Sequence, residues 1–303
     1  MIHLGLPSML RDNAFFQPAL TGLPMATNND SLYNARANVP NALDIFARWD
    51  KESAPVRASH PAYLDVPYGS HPMESMDIFR SQGPSRALLM FIHGGYWRSL
   101  DKKDFSFVAP AFVKAGVTVA VPNYALCPAV TVEQIVRQML QASAWLYRNA
   151  SNFGAHPDRI YVAGHSAGGH LTAMMMAALW PQFASDLPKK IFQAGFSVSG
   201  VYDLRPLTRA GFVNVDLRLT ERAAAKVSPA LMPPATDAPL CTAVGSAEPR
   251  GFHDQNAILN KAWGKVISGD YASPGDNHFT IMDKFATAGT TLNRAALRMM
   301  GLV

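Results

Sequence analysis

The sequence predicts an α/β fold in which a mostly parallel sheet of about eight strands carries helices on both faces. The chain has 303 residues, of which 49% are hydrophobic and 16% are charged. Such a composition can bury a large core and is not that of a disordered protein. From residue 61 onward, short apolar runs alternate with segments of helical spacing. This alternation is typical of parallel sheets that are covered by helices.

Eight short runs have the character of strands. Arg86–Ile92 and Gly116–Val121 are nearly continuous apolar runs, as expected for strands that are buried on both faces. In chain order, the predicted strands are Tyr63–Tyr68, Ser75–Phe79, Arg86–Ile92, Gly116–Val121, Arg159–Ala163, Ala194–Val198, Pro239–Val244 and Lys265–Ser268.

Helical spacing fills the intervals between these runs. In Thr131–Asn149, apolar residues recur at intervals of three and four, which places them on one face of a helix. The other predicted helices are Val39–Trp49, Gly168–Leu179, Asp254–Trp263 and Asn277–Met300.

Two segments depart from this alternation. Residues 1–60 are rich in Asn, Pro and Ala, and we predict an N-terminal arm that packs on the core. Residues 61–303 then form a single α/β domain. Within it, residues 205–234 have little strand signal and include one amphipathic piece, Val215–Val227. This insertion is a candidate lid over the carboxyl edge of the sheet, with an ordinary surface excursion as the alternative.

Charge and cysteine content exclude several classes of function. The net charge is +5, but the basic residues are scattered, so we expect no binding to nucleic acid. Two cysteines, Cys127 and Cys241, cannot form a disulfide framework and are expected to be free thiols in a reducing compartment. The start of the chain lacks a secretory pattern, and no apolar stretch is long enough for a membrane span. We therefore expect a cytoplasmic protein.

The clearest motif is the G-x-S-x-G sequence Gly164-His165-Ser166-Ala167-Gly168, which lies between a predicted strand and a predicted helix. This context is that of a nucleophile elbow, a tight turn that lifts a serine out of the sheet. The serine then lies at a helix N-terminus, where free N–H groups favour a developing negative charge. The motif predicts that Ser166 is a nucleophile.

A second motif, His93-Gly94-Gly95-Tyr96-Trp97, directly follows the strand Arg86–Ile92. Its glycines allow the backbone to come close to a bound carbonyl group. We predict that the N–H groups of Gly94, Gly95 and Tyr96 converge with that of Ala167 in an oxyanion hole. His93 itself is expected to be structural.

A serine nucleophile needs a histidine as its base and an acid that orients this histidine. In the nucleophile-elbow pattern, the acid follows the serine along the chain and the histidine follows the acid. His278, in the loop before the last predicted helix, fits the base better than His253. The acid should follow the penultimate strand, where we favour Glu248 over Asp254 because Glu248 is nearer the strand end.

Aromatic residues in the predicted loops suggest an aromatic or apolar small-molecule substrate, and we expect Trp97, Tyr124 and Tyr202 to contact it. Metal-ligand spacings and nucleotide-binding motifs do not occur in the sequence, so we expect neither a metal nor another cofactor. Formation of a homodimer stays open.

These motifs resemble a known family. From about Tyr63 to the C-terminus the chain resembles the α/β-hydrolase fold, and the H-G-G-x-W form at His93–Trp97 resembles the kynurenine formamidase (arylformamidase) group. Further matching stretches are Tyr33-Asn34, Asp65–Gly69, Gly200–Leu204, Gly245–Gln255 and Asn277–Phe279. Glu248 falls where the family places its acid, which is often Asp.

The resemblance implies a serine hydrolase that cleaves a formyl or small acyl group from an aromatic amide or ester, of the N-formylkynurenine type. A carboxylesterase acting on short-chain or aryl esters is the alternative within the enzymes. A non-catalytic binding protein on the same fold is the alternative of another class.

Overall fold

A computed structural model describes residues 29–59 and 61–303. The described residues form one eight-stranded sheet, as the sequence predicts. Residues 1–28 of the predicted arm, and His60, lie outside the described residues. The strands are β1 (Ala62–Pro67), β2 (Ser75–Phe79), β3 (Ala87–Ile92), β4 (Val117–Pro122), β5 (Ile160–His165), β6 (Phe192–Val198), β7 (Leu240–Gly245) and β8 (Ile267–Ser273).

The strands lie in the order β1-β2-β4-β3-β5-β6-β7-β8. Strands β4, β3, β5, β6, β7 and β8 are mutually parallel, whereas β2 runs antiparallel to both of its neighbours. The sheet is therefore mostly parallel. All residues of β3, β4, β5 and β7 are buried, which explains why the sequences of these strands are apolar without alternation.

The described residues form eleven α-helices, joined in places by short 3-10 turns. Helices α4 and α5 pack together beside β5, and α3, α10 and α11 form a second group. The helices are α1 (Asp30–Tyr33), α2 (Ala42–Ser59), α3 (Ala109–Lys114), α4 (Val132–Asn149), α5 (Ala167–Met176), α6 (Trp180–Phe183), α7 (Gly211–Leu217), α8 (Glu221–Lys226), α9 (Arg250–Ala262), α10 (Ile281–Ala286) and α11 (Thr291–Met299).

Several predicted elements differ in extent from those observed; the helix predicted over Val39–Trp49, for example, is α2 and runs from Ala42 to Ser59. The single helix predicted over Asn277–Met300 is two helices, α10 and α11, because the chain turns between them at Gly289, which has a φ of +82°. The last strand begins at Ile267 and continues to Ser273, beyond the predicted apolar run. Its residues alternate in burial, which is typical of an edge strand and weakens the apolar signal in the sequence.

The described part of the N-terminal arm packs on the core through α2. This helix lies against the 3-10 helix Lys102–Val108, where the Trp49 ring stacks on Phe107 at a centroid distance of 5.3 Å. The hydroxyl of Ser53 donates a hydrogen bond to the Asp104 carbonyl at 3.1 Å. The arm is thereby fixed near the carboxyl edge of β3, where the predicted oxyanion loop begins.

Residues 205–234 hold α7, α8 and two 3-10 turns. Several of their apolar residues, including Leu207, Val213 and Leu217, are buried, whereas Val215 and Leu231 are exposed. A buried hydrogen bond joins this insertion to α5, the helix after the elbow: the ring of His170 donates through Nε2 to the Val227 carbonyl at 2.6 Å. Burial lowers the pKa of His170 from its ordinary value of 6.5 to about 4.

This buried imidazole predicts a pH-dependent stability. Between pH 6.5 and 4 the unfolded chain binds a proton at His170 that the folded state excludes. The free energy of unfolding should therefore fall as the pH is lowered through this range, with His170 contributing at most about 3 kcal/mol. His170→Gln keeps a donor for Val227 but does not titrate. Urea denaturation at several pH values should show a shallower pH dependence in this variant, and an unchanged dependence would contradict the assignment.

Candidate active site

The register of the sheet brings the predicted functional loops together at one edge. Ile92 of β3 pairs with Gly164 of β5, so the loop that begins at His93 leaves the sheet beside the elbow. Farther along the sheet, Gly245 at the end of β7 pairs with Ser273 at the end of β8. The carboxyl ends of parallel strands meet at a single edge, which is where α/β proteins bind their ligands.

The elbow depends on two glycines, and its serine has an unusual backbone conformation. A Cβ atom on Gly164 would collide with the carbonyl of Gly168, and one on Gly168 would collide with the Ile92 carbonyl. Ser166 itself has a φ of +57°, a backbone conformation that is rare for residues other than glycine. Strain of this kind persists only where the surrounding structure enforces it, and it is common at active sites.

The imidazole of His278 joins the predicted nucleophile to the predicted acid. Its Nε2 lies 2.9 Å from Ser166 Oγ, and its Nδ1 lies 2.6 Å from Glu248 Oε2. An ionised carboxylate can only accept, so Nδ1 carries the proton and Nε2 is free to accept from the serine hydroxyl. The exposed fractions of Ser166, Glu248 and His278 are 3%, 7% and 2%. The site is thus shielded from bulk water.

Glu248 is held on its second oxygen as well. Its Oε1 accepts hydrogen bonds from the Ser199 hydroxyl at 2.5 Å and from the Gly245 amide at 2.7 Å. The alternative acid, Asp254, lies on α9 and pairs with Arg250 instead. Of the two residues considered for the acid, Glu248 and Asp254, the structure therefore brings Glu248 to the imidazole. The alternative base, His253, also lies on α9.

The glycine-rich loop presents unpaired backbone donors near Ser166. Among the described residues, the N–H groups of Gly94, Gly95, Tyr96 and Ala167 have no hydrogen-bond acceptor. Gly95 has a φ of +109°, and a Cβ atom there would collide with the Ser99 carbonyl, so this position requires glycine. Donors that are already oriented and unpaired suit a negative charge that forms only during a reaction.

The loop is supported by the N-terminal arm. The hydroxyl of Tyr96 donates to the backbone carbonyl of Tyr33 at 2.5 Å, and the hydroxyl of Tyr33 in turn accepts from Gln255 at 3.1 Å. Tyr96 has a positive φ of 50°, so this hydrogen bond helps to hold a conformation that the residue rarely adopts. The arm therefore links the loop after β3 to α9.

Ser166 and His278 open into a cavity of about 300 Å³ between the arm and the domain. Aromatic rings from both sides form much of its wall, including Phe46 and Trp49 of α2 and Phe212 of the insertion. The residues that line it are Asn34, Ala35, Arg36, Phe46, Trp49, Gly95, Tyr96, Arg98, Ser99, Leu100, His165, Ser166, Phe212, His278 and Phe279.

The expected substrate contacts from Trp97, Tyr124 and Tyr202 are not found. All three side chains are fully buried and none lines the cavity. The Tyr124 hydroxyl donates to the His93 carbonyl at 2.9 Å, and that of Tyr202 hydrogen-bonds with Ser197 Oγ at 2.7 Å. These rings hold the loops in place. Sequence reasoning missed the cavity residues of the arm, although Tyr33-Asn34 was among the stretches that carried the family resemblance.

His165, inside the elbow motif, also supports His278. Its Nε2 donates to the backbone carbonyl of His278 at 2.7 Å, and the two rings lie 4.8 Å apart. Burial, and then the neighbouring His278, lowers the pKa of His165 well below its usual range, so His165 is neutral. It fixes the loop that carries His278 without placing a second positive charge beside it.

The fold and these side chains define a serine hydrolase of the α/β-hydrolase class. A family model described as BD-FAE matches residues 76–244. A kynurenine formamidase of Danio rerio is 31% identical over 248 residues, covering 78% of this chain and 82% of the relative. The chain belongs to the BD-FAE family, within the group that includes this kynurenine formamidase.

Two further proteins are similar to this chain. Esterase LipQ of Mycobacterium tuberculosis is 31% identical over 151 residues, which is 46% of this chain and 35% of that protein. A crystal structure of a proposed thioesterase from Silicibacter sp. superposes with a TM-score of 0.78 at 31% identity, covering 87% of this chain and 97% of that one.

Within the described ranges, none of the helices combines the length and the apolar character that a membrane span requires.

The contact between His165 and His278 predicts a difference between two substitutions. His165→Phe fills a similar volume but cannot donate to the His278 carbonyl, so we expect kcat for an aryl ester to fall roughly 10- to 100-fold through misplacement of the imidazole. His165→Gln offers an N–H donor near the position of Nε2 and should retain more activity. Steady-state kinetics on both variants tests this, and equal kcat values in the wild type and the Phe variant would refute it.

Proposed function

We propose that Ser166, His278 and Glu248 act as a catalytic triad that hydrolyses a formyl or small acyl group from an aromatic amine or phenol. The observation that carries this proposal is the hydrogen bonding of the His278 ring, at 2.9 Å to Ser166 Oγ and 2.6 Å to Glu248 Oε2. This is the geometry of a nucleophile, a base and an orienting acid.

The reaction begins when Ser166 Oγ attacks the carbonyl carbon and its proton passes to His278 Nε2. Glu248 stabilises the imidazolium that forms and keeps its Nδ1 proton in place. The carbonyl oxygen becomes an oxyanion that accepts from the N–H groups of Gly95, Tyr96 and Ala167. Collapse of this intermediate breaks the bond to the leaving nitrogen or oxygen, which takes the proton from Nε2 and departs.

A water molecule completes the cycle. His278 Nε2 removes its proton as the water attacks the acylated serine, and the second intermediate also places its oxyanion between the same amides. Collapse then releases the acid and returns the proton to Ser166 Oγ. With a formyl group, the released acid is formate.

The cavity supports an aromatic leaving group. Phe46, Trp49 and Phe212 offer apolar faces for a ring, and such sites commonly bury most of a small ligand. An arylamine is also a better leaving group than an alkylamine, whereas a formyl group needs almost no acyl pocket. The similarity to a kynurenine formamidase favours an aryl formamide of the N-formylkynurenine type.

A carboxylesterase acting on short-chain or aryl esters is the second candidate, because similarity to an esterase favours it and the same machinery cleaves esters.

The two cysteines of the chain are free thiols, which supports the expected reducing, cytoplasmic setting.

Removal of the nucleophile tests the triad. Ser166→Ala should lower kcat roughly 10⁴- to 10⁶-fold, because the acyl-enzyme can no longer form. Ser81→Ala, on the turn after β2, is a matched control that should keep full activity. Thermal denaturation must show that both variants are folded. Undiminished hydrolysis by a folded Ser166→Ala protein would reject the proposal.

The leaving-group preference can be measured directly. We expect the wild-type enzyme to release formate from N-formylkynurenine and nitrophenol from 4-nitrophenyl acetate, with both activities lost in Ser166→Ala. Comparison of kcat/KM for the two substrates then ranks them. Ester cleavage without any release of formate would establish the carboxylesterase alternative.

A further inference from the structure

The charges around the active-site cavity are unbalanced. Arg36 and Arg98 are the lining residues with a permanent charge, and no Asp or Glu of the described residues lines the same cavity. A cavity bordered by one sign of charge favours a ligand that carries the other.

The charge of Arg98 is matched within the protein. Its guanidinium pairs with the carboxylate of Asp216 on α7 at 2.5 Å and lies over the Phe212 ring at 5.9 Å from the centroid. This ion pair joins the loop after β3 to the insertion. Arg98 is therefore engaged, and the excess positive charge at the cavity belongs to Arg36.

Arg36 has no acidic partner within residues 29–59 and 61–303. Its guanidinium lies 6.0 Å from the centroid of the Phe46 ring, within the range of a cation–π contact, and both residues line the cavity. Phe46 in turn contacts the ring of Phe279 at 4.9 Å, and Phe279 directly follows His278. The rings of Phe46 and Phe279 thus lie between the exposed guanidinium of Arg36 and the predicted general base, His278.

A second donor lies beside it on the same wall. The Asn34 side-chain oxygen accepts from the Ala37 amide at 3.1 Å, which fixes the orientation of the side chain. Its Nδ2 group has no acceptor within the described part of the chain, and Asn34 lines the cavity with Arg36. A guanidinium with a neighbouring amide donor is chemistry that suits a carboxylate.

We propose that Arg36, assisted by Asn34, binds a carboxylate on the aromatic part of the substrate, so that the enzyme selects anionic aryl formamides or esters over neutral ones. This inference rests on the proposed hydrolase function, since it assigns the leaving group of that reaction. The site lies at an exposed rim, so the expected selectivity is moderate, about three- to tenfold in kcat/KM.

The test uses two ester substrates of nearly the same shape, 4-acetoxybenzoate and 4-acetoxybenzamide, which differ in charge. Their ratio of kcat/KM is compared between the wild type and Arg36→Met, which keeps an apolar stem over Phe46 but removes the charge. The ratio of carboxylate to carboxamide should fall about three- to tenfold. Comparing one pair across variants cancels the different intrinsic reactivities of the two esters.

Two controls make the result specific. Arg137→Met removes the same charge from α4, away from the cavity, and should leave the ratio unchanged. Arg36→Lys keeps the positive charge and should restore part of the preference. Added salt should lower the wild-type ratio toward that of Arg36→Met, because the pair at the rim is screened.

The outcomes separate this proposal from the one on which it rests. If the wild type hydrolyses neither ester nor the corresponding aryl formamides, the proposed function itself fails. If it hydrolyses both esters with the same ratio as Arg36→Met, or if Arg137→Met lowers the ratio equally, the carboxylate site is wrong and the hydrolase stands.

Discussion

The hydrogen bonds at the two nitrogens of the His278 imidazole set the requirements that the surrounding fold has to meet. Nδ1 must face a fixed carboxylate, and Nε2 must face a serine whose backbone is held in a rare conformation. The parallel strands satisfy both, because β5, β7 and β8 end at one edge in a register that pairs Gly245 with Ser273. A shift of that register would move the acid away from the base.

The N-terminal arm belongs to the site as much as to the core. Its helix α2 supplies Phe46 and Trp49 to the cavity, and the carbonyl of Tyr33 accepts from the hydroxyl of Tyr96, a residue whose own amide is one of the unpaired donors. The loop after β3 is strained at Tyr96 and Trp97, which both have positive φ, so contacts from outside the loop help to maintain it. The insertion at 205–234 contributes only Phe212 to the lining of the cavity, so the arm covers more of this cavity than the segment that the sequence marked as a candidate lid.

Local signals explain which features sequence reasoning could predict. The buried strands, the elbow at Ser166 and the glycine-rich loop each depend on neighbouring residues, and the chain order then selected His278 and Glu248. The residues that line the cavity could not be predicted in this way. Trp97, Tyr124 and Tyr202 lie in the expected loops, but whether an aromatic ring points into a cavity or supports the loop behind it depends on packing among distant segments. Arg36 and Phe46 reach the site only because the arm folds back over the sheet edge.

The central claim is that one serine hydroxyl, one imidazole and a set of backbone amides surround a single reacting carbonyl. A crystal structure of the protein after reaction with a fluorophosphonate would test it most directly, because the phosphonyl group resembles the tetrahedral intermediate. We predict phosphorus bonded to Ser166 Oγ, with one phosphonyl oxygen within hydrogen-bond distance of the Gly95, Tyr96 or Ala167 amides and His278 Nε2 beside the serine oxygen. An adduct on another residue, or a phosphonyl oxygen directed away from those amides, would contradict the account.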